Sequence, residues 1–218
     1  MKRKPNPIEI ENKINEQQKL TKEILTKLES IGYTAVCAGG APRDWYRGVP
    51  AVDIDIFVEC KKSASSKFHQ DVETTFALEL TSLEPIDNSG ESTYSLNPNI
   101  NSVTECKIHG QKVQFITIED QDICSFKVDC TSIHKTFPCN LSQVQWDGTE
   151  YSFEPMFEIG IKYKIVEFYP ELNSWADEEF RFSKYYRKMK RKFKDWGFVK
   201  RKKVKDTYEE IIGLEELE

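Results

Sequence analysis

Two carboxylates placed two residues apart are the first candidates for chemistry in this chain. Asp53 and Asp55 alternate with the apolar residues of the segment 52–58, a period-two pattern that predicts a strand with one face in the core. Their side chains then share the opposite face, with Cα atoms about 6.5–7 Å apart. Because Asp is a poor strand former, the pair favours binding of a hard cation such as Mg²⁺, which takes one or two carboxylates plus substrate phosphates. The alternative is an edge strand with two solvated aspartates.

A glycine turn precedes this strand. The segment 33–38 predicts a short strand that Gly39-Gly40 ends, and Pro42 lies where a helix can begin. Such a turn exposes backbone N–H groups at a helix N-terminus, and Arg43 could contact a phosphate through its forked guanidinium. A Gly-Gly turn alone is a weak signal. With the Asp-x-Asp strand beginning ten residues after Arg43, the combination predicts a site for a nucleoside triphosphate and its metal ions.

The same residues carry a resemblance to a known family. The run GGAPRD at 39–44, followed by DID at 53–55, resembles the head-domain signature of class II tRNA nucleotidyltransferases and bacterial poly(A) polymerases. These enzymes belong to the DNA polymerase beta superfamily. The clear match covers about residues 33–58. The resemblance implies an α/β (α+β) fold, a mixed-sheet polymerase-beta-like nucleotidyltransferase head followed by a basic helical segment.

The resemblance also implies roles for individual residues. Gly39, Gly40 and Arg43 would bind the triphosphate, ATP or another nucleotide. Asp53 and Asp55 would be the catalytic carboxylates that ligate Mg²⁺ (or Mn²⁺). The implied reaction moves a nucleotidyl group from the nucleoside triphosphate to a hydroxyl acceptor and releases pyrophosphate.

Two departures from the family pattern lie downstream. The family supplies a third acidic residue from a neighbouring strand, and its best counterpart, in the segment 112–116, is Gln114. A Gln can coordinate through its carbonyl oxygen but cannot carry a charge or accept a proton at neutral pH. Asp129 is a possible substitute. Its segment, 126–131, also offers only Lys127 where the family has a nucleotide-contacting arginine motif.

A basic helix near the end of the chain also resembles the family. Family members follow the head with a helix of the form Asp-x-x-Arg-x-x-Arg-x-x-Arg that ends near Gly-Phe and contacts the nucleotide. The same spacing is present in Glu178, Arg181, Lys184 and Arg187. By resemblance Arg181, Lys184 and Arg187 would position the nucleotide, and Gly197-Phe198 would close the helix. Alignment on Gly197 instead would move the match toward Lys188 and Arg191.

The charge of the chain is strongly divided. The segment 181–205 holds 13 of the 31 basic residues and one acidic residue, Asp195, which gives it a net charge of +12. The remaining 18 basic and 35 acidic residues carry −17. A basic segment with interspersed Tyr, Phe and Trp is typical of phosphate contacts with base stacking, although a solvated helix face is the common alternative. We interpret 181–205 as a contact for RNA, with a tRNA-like 3′ end as the acceptor.

The length and composition of the chain predict how its domains and secondary structure are arranged. At 218 residues, we expect a nucleotidyltransferase head at 1–172 and a basic, neck-like helical segment at 173–218. The absence of a 20-residue apolar run or a signal-peptide pattern, together with six scattered cysteines, predicts a cytoplasmic protein without membrane contact. Periodicity predicts helices at 8–31 and 64–82, a polar loop at 85–102 bordering the site, strands at 102–108, 112–118 and 126–134, and short strands or turns over 140–170.

Two other functions remain compatible with the sequence. One is an enzyme of the same fold that modifies a protein or a small molecule. The other is a catalytically dead nucleotide- or RNA-binding module, which the glutamine at position 114 would favour.

Overall fold

The computed structural model describes residues 6–76, 100–119, 121–123, 126–169 and 178–200. The helices in these segments are α1 (Pro7–Ser30), α2 (Gly40–Tyr46), α3 (Ser65–Phe76), α4 (Pro155–Tyr163) and α5 (Glu178–Lys192). The strands are β1 (Ala35–Ala38), β2 (Asp53–Glu59), β3 (Ile100–Ile108), β4 (Gln111–Ile118), β5 (Gln121–Ile123), β6 (Phe126–Val128), β7 (Val144–Trp146), β8 (Tyr151–Phe153), β9 (Ile165–Phe168) and β10 (Gly197–Lys200). Short 3-10 helices cover Lys62–Ala64, Ile133–Thr136 and Asn140–Ser142. The mixed α/β class predicted from the sequence is confirmed.

A six-stranded mixed sheet forms the centre of the fold, with strand order β3-β4-β2-β1-β7-β8. β2 pairs in parallel with β4 and antiparallel with β1. Ile54, Ile56 and Val58 of β2 are fully buried in a core that includes Leu28 of α1 and Phe68 of α3. The period-two alternation of the sequence therefore has its predicted effect, because burying these three residues puts Asp53 and Asp55 on the other face.

Helix α5 packs by one side on a second hydrophobic cluster. Met189 of α5 and Phe193, the first residue after the helix, are buried against Phe168 of β9 and Leu141. β10 pairs in parallel with β9. The predicted helix end at Gly197-Phe198 is therefore wrong: α5 ends at Lys192, and the residues after the intervening turn form a strand, since Phe198 adds its ring to this cluster.

Other element predictions differ from the structure in instructive ways. The helix predicted at 64–82 is present as α3, and its predicted residues 77–82 lie outside the described residues. Residues 85–99 of the predicted loop also lie outside them. The strand predicted over 126–134 stops at Val128 and turns into a 3-10 helix. The boundary predicted at 172 also lies outside the described residues. Among the segments described, no helix combines the length and the apolar character needed to cross a bilayer.

Helix α4 is absent from the sequence prediction. It contains Gly160, and a glycine inside a short helix costs about 1 kcal/mol relative to alanine. Tertiary contacts explain the glycine. A Cβ at position 160 would lie 2.8 Å from the carbonyl oxygen of Ile165 and would overlap the side-chain nitrogen of Asn140.

The Asn140 side chain is hydrogen-bonded to several backbone groups in the same place. Its amide nitrogen donates to the carbonyl oxygens of Met156 and Ile165, both at 3.1 Å. Its side-chain oxygen accepts from the backbone N–H groups of Leu141 at 2.8 Å and Glu167 at 2.9 Å. This one buried side chain therefore joins α4 to β9, and only a glycine at 160 leaves room for it.

Replacing Gly160 with Ala should consequently destabilise the protein, although alanine is the better helix former. The added methyl group must displace Asn140, and overpacking of this kind costs about 1–3 kcal/mol. Urea unfolding of Gly160→Ala measures the loss. Lys162→Ala, at an exposed position of the same helix, is the matched control and should change the free energy of unfolding by less than about 0.5 kcal/mol. Equal stabilities for the two variants would contradict the steric argument.

Candidate active site

The two aspartates lie at the beginning of the central strand. Asp53 and Asp55 are half-buried on the face of β2 opposite the core. In the parallel register Asp53 pairs with Lys112 and Asp55 pairs with Gln114. Paired residues of neighbouring strands have side chains on the same face. The structure therefore brings Gln114 beside the aspartates, on the neighbouring strand.

One acidic residue of this face was not identified from the sequence. Glu105 of β3 pairs with Gln114 across the β3–β4 ladder. Its Oε2 accepts a hydrogen bond from Gln114 Nε2 at 2.9 Å and lies 2.7 Å from Lys112 Nζ. The hydrogen bond from Lys112, with the one from Gln114, lowers the pKa of the Glu105 carboxyl against the opposing effect of partial burial.

The turn between β3 and β4 is the signal that could have revealed Glu105. His109 and Gly110 both have positive φ angles, 49° and 77°, as a two-residue type I′ hairpin turn requires. Such a turn fixes the register of the two strands, here Ile108 with Gln111 and therefore Glu105 with Gln114.

The Gly39-Gly40 turn lies beside the aspartates. β1 runs antiparallel to β2, so the turn that ends β1 is close to the residues that begin β2. Gly39 has φ 80° and ψ −111°, a conformation that side chains disfavour. Its N–H donates to the carbonyl oxygen of Val144 at 2.8 Å. The N–H of Gly39 is therefore already used within the sheet, so in this structure the residue contributes its conformation rather than its amide.

Arg43 is buried beneath the turn. Only 5% of its surface is exposed, and its Nε donates to Asp44 Oδ1 at 3.0 Å. Burial alone would lower the pKa of Arg43, but the charge and hydrogen bond of Asp44, together with nearby Tyr185 and Cys139, raise that pKa overall. The nearest atom to a Cβ built on Gly40 is Arg43 Nη2, at 3.7 Å. The guanidinium thus lies under Gly40 and is held by a carboxylate.

The Asp44 carboxylate also binds the basic helix. Lys192 of α5 donates to Asp44 Oδ2, and burial together with nearby Arg43 lowers the pKa of Lys192. The guanidinium of Arg47 lies over the rings of Phe193 and Trp196, at 4.6 and 5.1 Å from their centroids. The last turn of α5 is therefore attached directly to α2.

The aromatic residues of the basic segment do not match the stacking surface expected from the sequence. Phe193 is 1% exposed. Tyr185, Tyr186, Trp196 and Phe198 pack on the same cluster as Phe168. Tyr185 and Tyr186 lie on α5, whereas the other three rings follow the end of the helix. Among the side chains of α5 that the structure describes, those exposed are cationic: Arg187, Lys188, Lys190, Arg191 and Lys192, the last of which is bonded to Asp44.

The remaining predicted site residues fall elsewhere. Arg181 and Lys184 lie on the described backbone of α5, but their side chains are outside the described part of the chain. Asp129 Oδ1 accepts hydrogen bonds from the backbone and the hydroxyl of Thr131, at 2.9 and 2.6 Å. The next residue, Cys130, donates its N–H to Glu59, which is about 13 Å along β2 from Asp55. Asp129 therefore caps a turn near the far end of the strand and is not a neighbour of the aspartates.

The oxygen atoms on this face suit Mg²⁺ or Mn²⁺. Within the described residues, no group of three His, Cys, Asp or Glu side chains is arranged to hold a metal ion. Asp53, Asp55 and the carbonyl of Gln114 instead provide two carboxylates and a neutral oxygen. Mg²⁺ is commonly bound by one or two carboxylates together with substrate phosphates, so these residues fit an ion that arrives with a nucleotide.

Solved structures of CCA-adding enzymes share this fold. The Thermotoga maritima enzyme complexed with tRNA matches with a TM-score of 0.54 at 11% sequence identity, over 85% of this chain and 39% of that one. A CCA-adding enzyme in complex with CTP matches with a TM-score of 0.52 at 12% identity, over 84% and 39% of the two chains. The Bacillus stearothermophilus enzyme, also with CTP, gives 0.50 at 18% identity, over 83% and 40%.

These matches are structural. No protein-family model matches the chain, and no curated protein matches it. The chain spans about two fifths of the length of each of the three enzymes. Over that span it has the mixed-sheet nucleotidyltransferase fold of the CCA-adding enzymes, as the motif at 39–55 predicted.

Proposed function

We propose that this protein is a metal-dependent nucleotidyltransferase that moves a nucleotidyl group from a nucleoside triphosphate to a hydroxyl, with an RNA 3′ end as the acceptor. The observation that carries the proposal is the placement of Asp53 and Asp55. Both lie on the face of β2 opposite the core, beside a glycine turn and a third oxygen donor on β4. This arrangement occurs within a fold shared with tRNA nucleotidyltransferases.

The proposed roles follow from position. Asp53 and Asp55 hold Mg²⁺ or Mn²⁺, which when bound would neutralise phosphate charge and activate the attacking hydroxyl. The Gly39-Gly40 turn lets the triphosphate approach the backbone without side chains in the way. Arg43 supports that turn from beneath and adds positive charge to it. Transfer forms a bond from the acceptor oxygen to the α-phosphorus, breaks the bond to the bridging oxygen, and releases pyrophosphate and a proton.

The basic helix supports RNA as the acceptor. The accessible side of α5 presents Arg187, Lys188, Lys190 and Arg191, while its aromatic side is used in packing. Over the described side chains, a surface whose cations are exposed and whose rings pack on the cluster favours contacts with phosphates over stacking on bases. Lys192, the last residue of α5, is bonded to Asp44, and Asp44 lies next to the glycine turn. RNA bound along α5 would therefore extend toward the aspartates. Lys184 and Arg181, about one and two turns before Arg187 on the helix, remain proposed nucleotide contacts together with Arg187.

A second candidate function rests on Gln114. Its register beside Asp55 puts a neutral side chain where the family has a charged one. A chain that kept the fold and lost the chemistry would bind nucleotide or RNA without turnover. A protein- or small-molecule-modifying enzyme of this fold has no comparable observation in its favour.

The aspartates should be essential for transfer. Asp53→Asn and Asp55→Asn keep the side-chain shape but remove charge, so each should lower the rate by more than about 100-fold through loss of metal binding. The measurement incubates the full chain with Mg²⁺ or Mn²⁺, each α-labelled nucleoside triphosphate, and total tRNA or a protein lysate. Glu150→Gln, at an exposed position far from the site, is the control and should leave the rate unchanged.

The outcomes separate the candidates. Label that enters RNA only with intact aspartates supports the proposal and gives the base preference. Label that enters protein instead would assign the enzyme to protein modification. RNA retained on a filter without any labelling would favour the binding module, in which case Gln114→Asp or Gln114→Glu should create measurable transfer.

RNA affinity should depend on the exposed cations of α5. Each phosphate contact that is lost lowers the slope of log affinity against log salt by about 0.7–0.9. Lys188→Ala combined with Arg191→Ala should therefore weaken tRNA binding and reduce that slope by roughly 1.5. Lys13→Ala with Lys19→Ala removes the same charge from exposed positions on α1. Equal slopes for the two double variants would show that total charge, rather than this surface, determines binding.

A further inference from the structure

We propose that Glu105 is a positioning residue of the metal site, acting through its two neighbours on β4. It orients Gln114 so that the amide oxygen is directed to Asp55, and it holds Lys112 away from Asp53. The inference rests on the proposed function, because it concerns the same metal-binding face. Glu105 itself is too far to be a ligand: two strand spacings separate it from Asp55, about 10 Å between Cα atoms.

The orientation of Gln114 follows from hydrogen-bond chemistry. An ionised carboxylate only accepts hydrogen bonds, so the group of Gln114 that faces Glu105 must be the NH₂. The observed bond, Gln114 Nε2 to Glu105 Oε2 at 2.9 Å, has this form. The amide oxygen occupies the other arm of the planar group and is turned away from β3. β2, with Asp55 at the paired position, lies on that other side of β4.

Lys112 gives Glu105 a second task. Its paired position on β2 is Asp53, so an unrestrained ammonium there would neutralise the carboxylate that a metal ion needs. In the structure Lys112 Nζ instead lies 2.7 Å from Glu105 Oε2. The same oxygen thus accepts from the lysine and from the glutamine. The carboxylate of Glu105 therefore holds the Lys112 ammonium toward β3. It also orients Gln114 so that its neutral amide oxygen is directed toward β2.

A merely structural ion pair would behave differently. The side chain of Glu105 is 43% exposed, and exposed ion pairs of this kind contribute little to stability. Its loss would then shift the unfolding transition slightly and leave metal affinity alone. Outer partners of metal ligands have the opposite signature, since their removal typically lowers metal affinity 10–100-fold. Metal affinity is therefore the measurement that distinguishes the two roles.

The experiment titrates the full chain with Mn²⁺ and follows binding by water-proton relaxation, without nucleotide and without turnover. Glu105→Ala should raise the dissociation constant about 10-fold. Glu105→Gln, whose carbonyl can still accept from Gln114 but holds Lys112 less strongly, should fall between Glu105→Ala and the wild type. Glu150→Ala is the matched control, and thermal unfolding of each variant reports whether the fold is intact.

Two further backgrounds test the two tasks separately. Lys112→Met should recover part of the affinity lost in Glu105→Ala, because no ammonium is then left to compete for Asp53. Gln114→Glu should reverse the sign of the effect. With a carboxylate at 114, Glu105 becomes a repelling neighbour, so Glu105→Ala in that background should leave Mn²⁺ binding unchanged or strengthen it. An equal loss in both backgrounds would overturn the role assigned to Gln114.

The controls separate this inference from the proposed function. If Asp53→Asn abolishes Mn²⁺ binding and Glu105→Ala does not weaken it, Glu105 has no positioning role and the proposed metal site stands. If Asp53→Asn binds Mn²⁺ as well as the wild type, the proposed metal site itself is wrong, and the role of Glu105 is rejected with it. Weakening by both variants, with an unchanged unfolding temperature for Glu105→Ala, supports both.

Discussion

The candidate site depends on the burial of one face of β2. Ile54, Ile56 and Val58 are fully buried, and moving the strand by one residue would place Asp53 and Asp55 in that core. Because a buried carboxylate without a partner is far more costly than an exposed one, the core determines which way the aspartates face. Pairing with β1 and β4 on either side then sets their distance from the glycine turn and from Gln114. The site is in this sense a consequence of hydrophobic packing on the reverse side of the sheet.

A second constraint is the buried charge cluster around Asp44. Removing Arg43 and Asp44 from water costs several kcal/mol per ion before their attraction is counted, and Lys192 adds a third charge to the cluster. Removing the Asp44 carboxylate would take from Arg43 and Lys192 the partner that they share. The positions of α2 and the end of α5 therefore depend on each other. The Arg-Asp pair of the motif therefore has a structural role here: it joins the glycine turn to the basic helix. This link also explains why the rings of the basic segment, with Arg47 over two of them, are used for packing.

The sequence predicted the parts that depend on local periodicity and not those that depend on tertiary contacts. The alternation at 52–58 was enough to predict a strand with the correct buried face, whereas the neighbouring strand with Gln114 was inferred from the family resemblance. Helix α4 was missed because Gly160 is unfavourable for a helix, and only its fit against Asn140 explains it. The buried Arg43–Asp44 pair is completed by Lys192, which is 148 residues from Asp44 and leaves no local signal. Glu105 could have been found, since the hairpin at His109-Gly110 determines its partner.

The charges on this face indicate how a metal ion would be held. Asp53 and Asp55 together balance one divalent cation, and the charge of Glu105 is balanced by Lys112 at 2.7 Å. A third charged ligand would bind the cation more strongly on its own, whereas the amide oxygen of Gln114 adds a dipole without charge. The remaining attraction would then come from a triphosphate, whose oxygens are common ligands of Mg²⁺. A site of this composition would bind cation and nucleotide together more readily than either alone, because each would supply charge that the other needs. The substitution at position 114 is therefore compatible with chemistry that begins only when the nucleotide is present.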